Sequence, residues 1–288
     1  MMVFPENGGL SYHFTCRNNL YTEVFIHNFI SVYDNVLTEF TRKEKLNDVE
    51  FLDEETASIL DSANETANDY DKSDVVTQFR RAAEKFPDNI AVVFNDKRYT
   101  YREADEISER IAAYLKERGI GSEDVVSVLI PRCEYMVLAS LGVMKSCAAY
   151  QPLDPSYPSE RLEFMIKDAS AKLLIADRNL IKDCVPNYHG EILYTDEIPS
   201  LHHTQKLTES PSPSNLFIML YTSGSTGVPK GVMLEHGNLA SFIAWYRRNY
   251  SLTEKSKVAA YASYGFDADM MDLYPALTSG AAVHILDD

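Results

Sequence analysis

From residue 75 onward, short apolar segments alternate with longer segments of helical periodicity. Strands that are separated by whole helices must be joined by crossovers, which makes neighbouring strands parallel. We therefore expect an α/β fold with mixed, largely parallel sheets. The predicted helices are 75–85, 134–147, 159–168, 237–250 and 269–278, and the predicted strands are 90–94, 98–100, 125–130, one near 149, 172–176, 191–195, 216–222, 258–262 and 281–286. The chain stops directly after the last strand, which suggests an unfinished domain.

One further helix carries explicit start and stop signals. Thr100 and Glu103 have the spacing of a capping box, and Gly119 is placed to end the helix. Immediately before it, Asn95 and Asp96 predict the turn of a hairpin. This segment therefore predicts a hairpin that leads into a capped helix.

The chain divides into two blocks with a polar stretch between them. Residues 1–60 predict one strand, 10–16, and one amphipathic helix with apolar residues between Val24 and Phe40. One strand and one helix cannot close a core, so this block must pack on something else. Residues 61–73 (DSANETANDYDKS) are almost without apolar side chains and predict a linker. Residues 74–288 form the second block.

Charge and cysteine usage narrow the functional classes. The net charge of −16 argues against nucleic acid and against an anionic membrane surface as partners. No segment has the apolar length of a membrane helix or a signal peptide. The four cysteines (Cys16, Cys133, Cys147 and Cys184) are far apart and predict neither a metal site nor a disulfide framework. We expect a soluble protein of the reducing cytoplasm.

Residues 220–231, LYTSGSTGVPKG, predict a phosphate-binding loop after an apolar strand. Glycine lets backbone N–H groups turn toward an anion, hydroxyl groups donate to phosphate oxygens, and lysine adds a positive charge. The predicted phosphate ligands are Thr222, Ser223, Gly224, Ser225, Thr226, Gly227 and Lys230. Pro229 precedes the lysine and Gly231 follows it, so the spacing is not that of kinases and GTPases. A flexible Ser/Gly loop between two strands is the alternative.

Residues 266–272, FDADMMD, predict a carboxylate that could bind an ammonium group. A semi-buried Asp267 would suit that role. Asp267 or Asp269 could instead cap the following helix. The residues alone leave both alternatives open.

Four segments, including the two just described, together resemble a known family. YTSGSTGVPKG is similar to the signature loop of adenylate-forming enzymes, and LGVMKSCAAYQPLDPSYPSERL (141–162) resembles a block of amino-acid-activating domains. YTYREA (99–104) resembles the family's LTYxEL block, with Ala104 at the leucine position. FDAD resembles the FDAS block, with Asp269 at the serine position. The chain thus resembles the amino-terminal part of a nonribosomal peptide synthetase adenylation domain, and residues 1–60 resemble the end of a condensation domain.

The resemblance implies a fold and a reaction. The fold would be the incomplete amino-terminal core of the adenylate-forming enzymes. The reaction would join an amino acid to ATP, giving aminoacyl-AMP and pyrophosphate, with Mg²⁺ present and a phosphopantetheine thiol on a separate carrier protein as the later acceptor. The loop would hold the ATP phosphates, Asp267 would bind the substrate's α-amino group, and Ala268 and Met271 would line its pocket. Met271 could equally be ordinary helix core.

The resemblance also indicates what residues 1–288 do not contain. The adenine and ribose segments, the hinge and the mobile subdomain with its catalytic lysine have no counterpart, and Lys230 is not that lysine. No catalytic residue and no metal ligand is therefore assigned. His13 and His27 are expected to be surface or structural residues, and His236, near a helix start, is expected to have a capping or packing role. Two alternatives remain: an inactive or split-synthetase fragment that needs a partner chain with the missing half, and an acyl-CoA synthetase-like ligase, which Asp267 and LDPSYP disfavour.

Overall fold

The computed structural model describes residues 2–6, 8–17, 19–202, 207–223 and 228–287. The chain forms two compact units, Met1–Asp69 and Tyr70–Asp288. The division lies inside the polar stretch 61–73, although residues 61–64 are helical. The domain limits 1–60, 61–73 and 74–288 stay a prediction.

The first unit contains a hairpin and two helices. Strands β1 (Met2–Glu6) and β2 (Gly9–His13) pair antiparallel, and helices α1 (Glu23–Arg42) and α2 (Glu54–Asn64) follow. Among the described residues of this unit only Val49 is buried. The apolar residues of α1 are thus at most half-buried, with Phe29 and Tyr33 against Phe14, as we expect for a block that cannot close a core by itself. Strand β1 was not predicted because Pro5, which cannot donate to a strand ladder, lies within it.

The second unit alternates strands and helices, as the sequence predicts. Its helices are α3 (Val75–Lys85), α4 (Tyr101–Glu117), α5 (Tyr135–Lys145), α6 (Ser159–Asp168), α7 (Ile181–Cys184), α8 (His236–Tyr250) and α9 (Asp269–Leu277). Its strands are β3 (Ile90–Phe94), β4 (Lys97–Thr100), β5 (Val125–Leu129), β6 (Ala149–Leu153), β7 (Leu173–Ala176), β8 (Ile192–Tyr194), β9 (Leu216–Ser223), β10 (Pro229–Glu235), β11 (Lys257–Ala260) and β12 (Ala282–Ile285).

These strands form two sheets. The larger sheet has the order β10-β9-β6-β5-β7-β8, and all its neighbours are parallel except β9 and β10. The smaller sheet has the order β11-β12-β3-β4, with one antiparallel pair, β3 and β4. The expected mixed, largely parallel α/β fold is confirmed.

The predicted local signals around α4 are confirmed. Thr100 Oγ1 accepts from the backbone N–H of Glu103 (3.2 Å), and Thr100 N–H donates back to Glu103 Oε2 (2.8 Å). Gly119 has a φ of +73° after the helix, and Asn95 has a φ of +52° in the hairpin turn. Asparagine and glycine are the residues that enter this left-handed region at least cost.

Helix α5 is the centre of the core. All its residues from Met136 to Lys145 are buried, and it packs on α4. At Gly142 an added Cβ would lie 2.6 Å from Cβ of Ile111, so only glycine permits this approach. The charge of the buried Lys145 is met by Asp105 (2.6 Å) and Glu109 (3.2 Å). Helix α5 therefore fixes where the strands before and after it lie.

One strand of the larger sheet is longer than the sequence indicated. The sequence suggested only a short hairpin-like stretch before α8, whereas β10 runs for seven residues along β9. Pro229 and Gly231 lower the strand propensity of this segment. They are tolerated because β10 is an edge strand and Pro229 is its first residue.

The ends of α4 and α6 allow a matched test of backbone strain. Both helices are followed by a residue with positive φ, Gly119 at +73° and the exposed Ser170 at +51°. Replacing Ser170→Gly should raise the unfolding free energy by about 1 kcal/mol, because a residue with a Cβ pays to occupy this region. Gly119→Ser should lower it by about the same amount. Urea unfolding measures both, and an equal sign for the two changes would contradict the strain argument.

Candidate functional site

The hairpin of β9 and β10 carries the part of the predicted phosphate loop that the structure describes. Thr222 pairs with Lys230 and Ser223 with Pro229, so the hydroxyl groups and the ammonium group lie on facing strands next to the turn. Thr222, Ser223 and Lys230 are exposed. Gly224, Ser225, Thr226 and Gly227 lie outside the described residues. Strand β9 is parallel to β6, so the turn follows the carboxyl end of β9, at the edge where α/β sheets bind ligands.

The described end of β9 is anchored to α6. Tyr221 is buried, and its hydroxyl donates to Asp168 Oδ2 (2.8 Å) and lies 3.3 Å from the Met165 carbonyl oxygen, both on α6. Burial and the bond to Asp168 raise the pKa of Tyr221, which keeps this hydroxyl protonated. Across the ladder Gly231 leaves room for the ring, because an added Cβ would lie 3.3 Å from Tyr221 Cζ. The exposed Thr222 and Ser223 therefore directly follow a residue that is held in place by α6.

A cavity of about 280 Å³ brings the three predicted substrate residues together. Asp267, Ala268 and Met271 line it from the start of α9. The opposite walls come from β9, β10 and α8, and the other lining residues are Phe217, Leu234, Asn238, Leu239, Phe242 and Met270. The lining is mainly apolar with one carboxylate, which suits a small molecule that has an apolar part and a positive group.

The start of α9 decides between the two roles left open for its acidic residues. Its N-cap is Ala268, and no side chain caps this end in the part of the chain that the structure describes. Asp267 accepts from the N–H of Met270 (3.1 Å) through its backbone carbonyl and not through its side chain. The Asp267 side chain is exposed, whereas we expected it to be semi-buried. Capping therefore explains neither aspartate.

Met271 does not belong to the core face of its helix. It is 41% exposed and lines the cavity, while Met270, Leu273 and Tyr274 on the same helix are buried. The geometry thus favours a pocket position for Met271 over the alternative of ordinary helix core. Its role in substrate binding stays a prediction.

The loop before α9 is fastened to the larger sheet. The Tyr264 hydroxyl donates to the carbonyl of Leu153 (2.7 Å) and also reaches the carbonyl of Ile130. The Ser263 hydroxyl donates to Asp154 Oδ2 (3.0 Å). These contacts reach residues directly after β5 and β6, so they set the position of the following residues, including Asp267.

A second anchor joins the two sheets. The Arg132 guanidinium follows β5 and donates to the backbone carbonyls of Ala260 (2.8 Å), Ala262 (2.9 Å) and Leu286 (3.0 Å). These carbonyls lie at the ends of β11 and β12. One planar, permanently charged group thereby satisfies three backbone acceptors.

Asp269, at the position where the resembled family has serine, faces the interior. It is 2% exposed, and within the described residues its Oδ1 has no hydrogen-bond donor. Burial raises its pKa to about 7, and the nearby Asp272 adds to the shift. Asp272 itself accepts from the backbone N–H groups of Tyr261 (2.9 Å) and Ala262 (3.1 Å). Asp269 therefore does not line the cavity, although its neighbours do.

His236 has the packing role that the sequence suggested. It is fully buried against the ring of Phe217, with ring centres 5.7 Å apart. Burial lowers its pKa to about 4, so the imidazole is neutral at pH 7. Its two ring nitrogens have no hydrogen-bond partner among the residues described above. Since Phe217 lines the cavity, His236 supports the cavity wall from behind.

Several cavity residues were not identified from the sequence. Phe217, Leu234 and Phe242 are apolar residues in regular elements, and their sequence pattern is the same as that of core residues. Asn238 was not singled out either, and in the structure its side chain completes the capping box of α8 with Glu235. No local signal distinguishes such residues, because the cavity forms only where four elements meet: β9, β10, α8 and the start of α9.

Comparisons with known proteins agree on one family. The model of the family described as AMP-binding enzyme matches residues 79–288. Tyrocidine synthase 2 of Brevibacillus parabrevis is 34% identical over 268 residues, which are 92% of this chain and 7% of that protein. Bacitracin synthase 3 of Bacillus licheniformis is 32% identical over 272 residues, which are 93% of this chain and 4% of that protein. The chain thus spans less than a tenth of the length of these two relatives.

Solved structures show the same similarity. The amino-terminal subdomain of Klebsiella oxytoca NpsA, in complex with 3-hydroxyanthranilyl-AMSN, matches with a TM-score of 0.67 and 26% identity, covering 76% of this chain and 56% of that chain. The nonribosomal peptide synthetase FmoA3 matches with a TM-score of 0.83 and 23% identity, covering 98% of this chain and 31% of that chain. The latter similarity supports the fold alone.

The buried Asp269 predicts a specific pH dependence of stability. Its folded pKa of about 7 exceeds the ordinary value of 3.8, so the folded state favours the protonated form. The unfolding free energy should therefore fall as the pH rises from about 4 to about 7, by roughly 1.4 kcal/mol for each unit of pKa difference. Asp269→Asn should remove this part of the dependence in urea unfolding measured across that range.

The matched control is Asp183→Asn, which changes an exposed aspartate on the short α7. It should keep the pH dependence of the unchanged protein. An Asp269→Asn profile that is parallel to the control profile would show that the buried carboxyl group does not set the dependence.

Proposed function

The chain belongs to the AMP-binding enzyme family, and from this premise we propose that it is the amino-terminal part of a peptide synthetase adenylation domain that activates an amino acid with ATP. The observation that carries the proposal is the shared frame of two sites. Strands β9 and β10 present Thr222, Ser223 and Lys230 at one end and line the cavity of Asp267 with Phe217 and Leu234 further along. One hairpin thereby supports both a polyphosphate site and a pocket for a small cationic substrate.

The proposed reaction assigns one role to the loop between β9 and β10 and another to the cavity residues at the start of α9. The predicted ligands Thr222, Ser223, Gly224, Ser225, Thr226, Gly227 and Lys230 hold the ATP phosphates and stabilise the negative charge of the leaving pyrophosphate. Asp267 accepts a charge-assisted hydrogen bond from the α-amino group of the amino acid. Ala268 and Met271 border its side chain. The amino-acid carboxylate attacks the α-phosphorus, giving aminoacyl-AMP and pyrophosphate.

Mg²⁺ enters the proposal as the ion that accompanies the polyphosphate. In the described ranges no group of three or more His, Cys, Asp or Glu side chains is arranged to hold a metal ion. Mg²⁺ commonly keeps several water ligands and binds through substrate phosphates. We therefore expect Mg²⁺ to arrive bound to the ATP phosphates, and no residue of this chain is assigned as its ligand.

The proposed partners follow from the length of the relatives. The matched part of this chain covers only 56% of the amino-terminal subdomain of NpsA. The artificial fusion NpsA-ThdA is an adenylation–PCP di-domain. We propose that the site of this chain works together with the remaining part of an adenylation domain, and with a carrier protein that bears a phosphopantetheine thiol, in the cytoplasm. No helix in the described part of the chain is long and apolar enough to cross a membrane.

The first experiment is amino-acid-dependent exchange of labelled pyrophosphate into ATP. It should be run with the purified chain and pooled amino acids, and again with a covalently completed adenylation domain. Exchange by the chain alone would show that it is sufficient. Exchange by the completed protein only would support the split or partner-dependent alternative, and exchange by neither would contradict the proposal. Acyl-dependent exchange without amino acids would favour the acyl-CoA synthetase-like alternative instead.

Two substitutions test the phosphate site and the amino-acid cavity separately, in whichever form of the protein is active. Lys230→Ala should lower the exchange rate by about a hundredfold, as expected for a lost donor to developing charge. Asp267→Asn should lower kcat/KM for the amino acid by roughly ten- to a hundredfold while leaving the KM for ATP unchanged. The controls are the exposed Lys255→Ala and Asp183→Asn, which should keep the original rates. An equal effect of Asp267→Asn on both substrates would argue against its role as an amino-acid ligand.

A further inference from the structure

Exposed apolar side chains of the second unit are concentrated towards its carboxyl end. In the ranges that the structure describes, ten large apolar side chains of this unit are exposed, and only Phe164 precedes residue 228. The other nine are Val228, Val232, Met233, Trp245, Tyr250, Tyr261, Phe266, Met271 and Leu286. The surface from α3 to β9 is therefore closed, whereas the surface formed by β10, α8 and the residues around α9 is not.

Helix α8 shows why we regard this surface as unpartnered. Leu239 and Ile243 are buried, and the same apolar stripe continues at helical spacing with Tyr246 and Tyr250. Tyr250 is nevertheless 59% exposed, and Trp245 beside it is 45% exposed. The stripe thus has the residue pattern of a core face along its whole length, but the described residues cover only its first half.

The uncovered half of α8 joins the edge of the amino-acid cavity in one apolar surface. The ring centre of Trp245 lies 5.8 Å from that of Phe242 and 6.0 Å from that of Tyr250. Phe242 and Met271 also line the cavity. We call Phe242, Trp245, Tyr246, Tyr250 and Met271 the open face. Contiguous apolar surfaces that contain Trp and Tyr are typical of contacts with another folded element.

A strand edge is also open in this part of the chain. Strand β11 follows α8 and, within the described residues, pairs only with β12, to which it is parallel. An exposed strand edge presents unpaired N–H and C=O groups that a further strand can satisfy. The region therefore offers an apolar face and a strand edge, as an extension of the same α/β fold requires.

The size of a related subdomain indicates what this extension is. The family match, residues 79–288, includes nearly all of the second unit, yet the matched part of this chain covers only 56% of the NpsA subdomain. Almost half of that subdomain thus has no counterpart in this chain. The two parts of one folded subdomain must share a packed apolar contact. The open face is the extended apolar surface that the described second unit offers for it.

We propose that the open face is the docking surface for the part of an adenylation subdomain that has no counterpart in this chain. The inference rests on the proposed function and adds the place where the two parts meet. Because Phe242 and Met271 belong to both the open face and the cavity, the docked part borders the amino-acid cavity. Docking therefore also covers the edge of that cavity.

Trp245 is the single tryptophan of the chain, so its fluorescence reports on the open face directly. It should be measured in the purified chain and in a covalently completed adenylation domain whose added tryptophans are replaced by phenylalanine. We expect acrylamide to quench Trp245 less efficiently in the completed protein, by about threefold or more, because a packed interior shields a side chain from solvent. The emission maximum should shift to shorter wavelength.

The matched control is Phe164→Trp combined with Trp245→Phe, which moves the probe to the exposed apolar position outside the open face. Its quenching should be the same in the chain and in the completed protein. Equal quenching of Trp245 in both proteins, or an equal decrease at both positions, would overturn the proposal. The readout needs no ATP, so the two hypotheses fail separately. An exposed Trp245 in a protein that is active in exchange overturns only the docking surface, whereas a shielded Trp245 without exchange contradicts only the proposed function.

A stability measurement gives a second readout. Trp245→Ser together with Tyr250→Ser should lower the melting temperature of the completed protein by several degrees and that of the chain alone by much less, because apolar burial is lost only in the former. Phe164→Ser should change both proteins equally. Equal decreases with the double variant would contradict the proposal. So would a chain that sediments as a dimer with Trp245 already shielded, since a second copy would then occupy the open face.

Discussion

The parallel pairing of β6, β5 and β7 is the constraint on which the other parts of the second unit depend. These strands are buried along their whole length, and their carboxyl ends meet at one edge. The backbone of such strands can be satisfied only by their neighbours, so their order and register are fixed together. Because β9 adds to β6 in the same direction, the end of β9 reaches that edge too. Both candidate sites on this sheet therefore follow from the pairing of its strands.

The smaller sheet takes its place through polar side chains at this same edge. Arg132 reaches three carbonyls at the ends of β11 and β12, and Tyr264 reaches back to the ends of β5 and β6. Buried backbone carbonyls need partners, so these bonds are costly to lose. They hold the loop that carries Asp267 over the hairpin of β9 and β10. The substrate-facing residues are thus positioned by groups that do not touch the cavity.

Six of the described residues have a buried side-chain nitrogen or oxygen without a hydrogen-bond partner: Glu39, Arg110, Glu134, Arg161, His236 and Asp269. Local conflicts of this kind are expected near functional sites, where selection for binding competes with stability. His236 lies behind the wall of the cavity of Asp267, and Asp269 is beside two of its lining residues. Two of the six unsatisfied residues are therefore next to this cavity.

The amino-acid sequence predicts the succession of strands and helices and the capped start of α4, and the structure confirms both. These features depend on residues close together in the chain, such as Thr100 with Glu103, so local chemistry decides them. It also singled out Asp267, Ala268 and Met271, through resemblance. The packing of separate elements determines that Met271 faces a cavity, that Asp269 is buried, and that Phe217 and Phe242 form the opposite wall. An apolar residue on a strand or helix has the same local pattern in a core and in a pocket, and the difference arises only where separate elements meet.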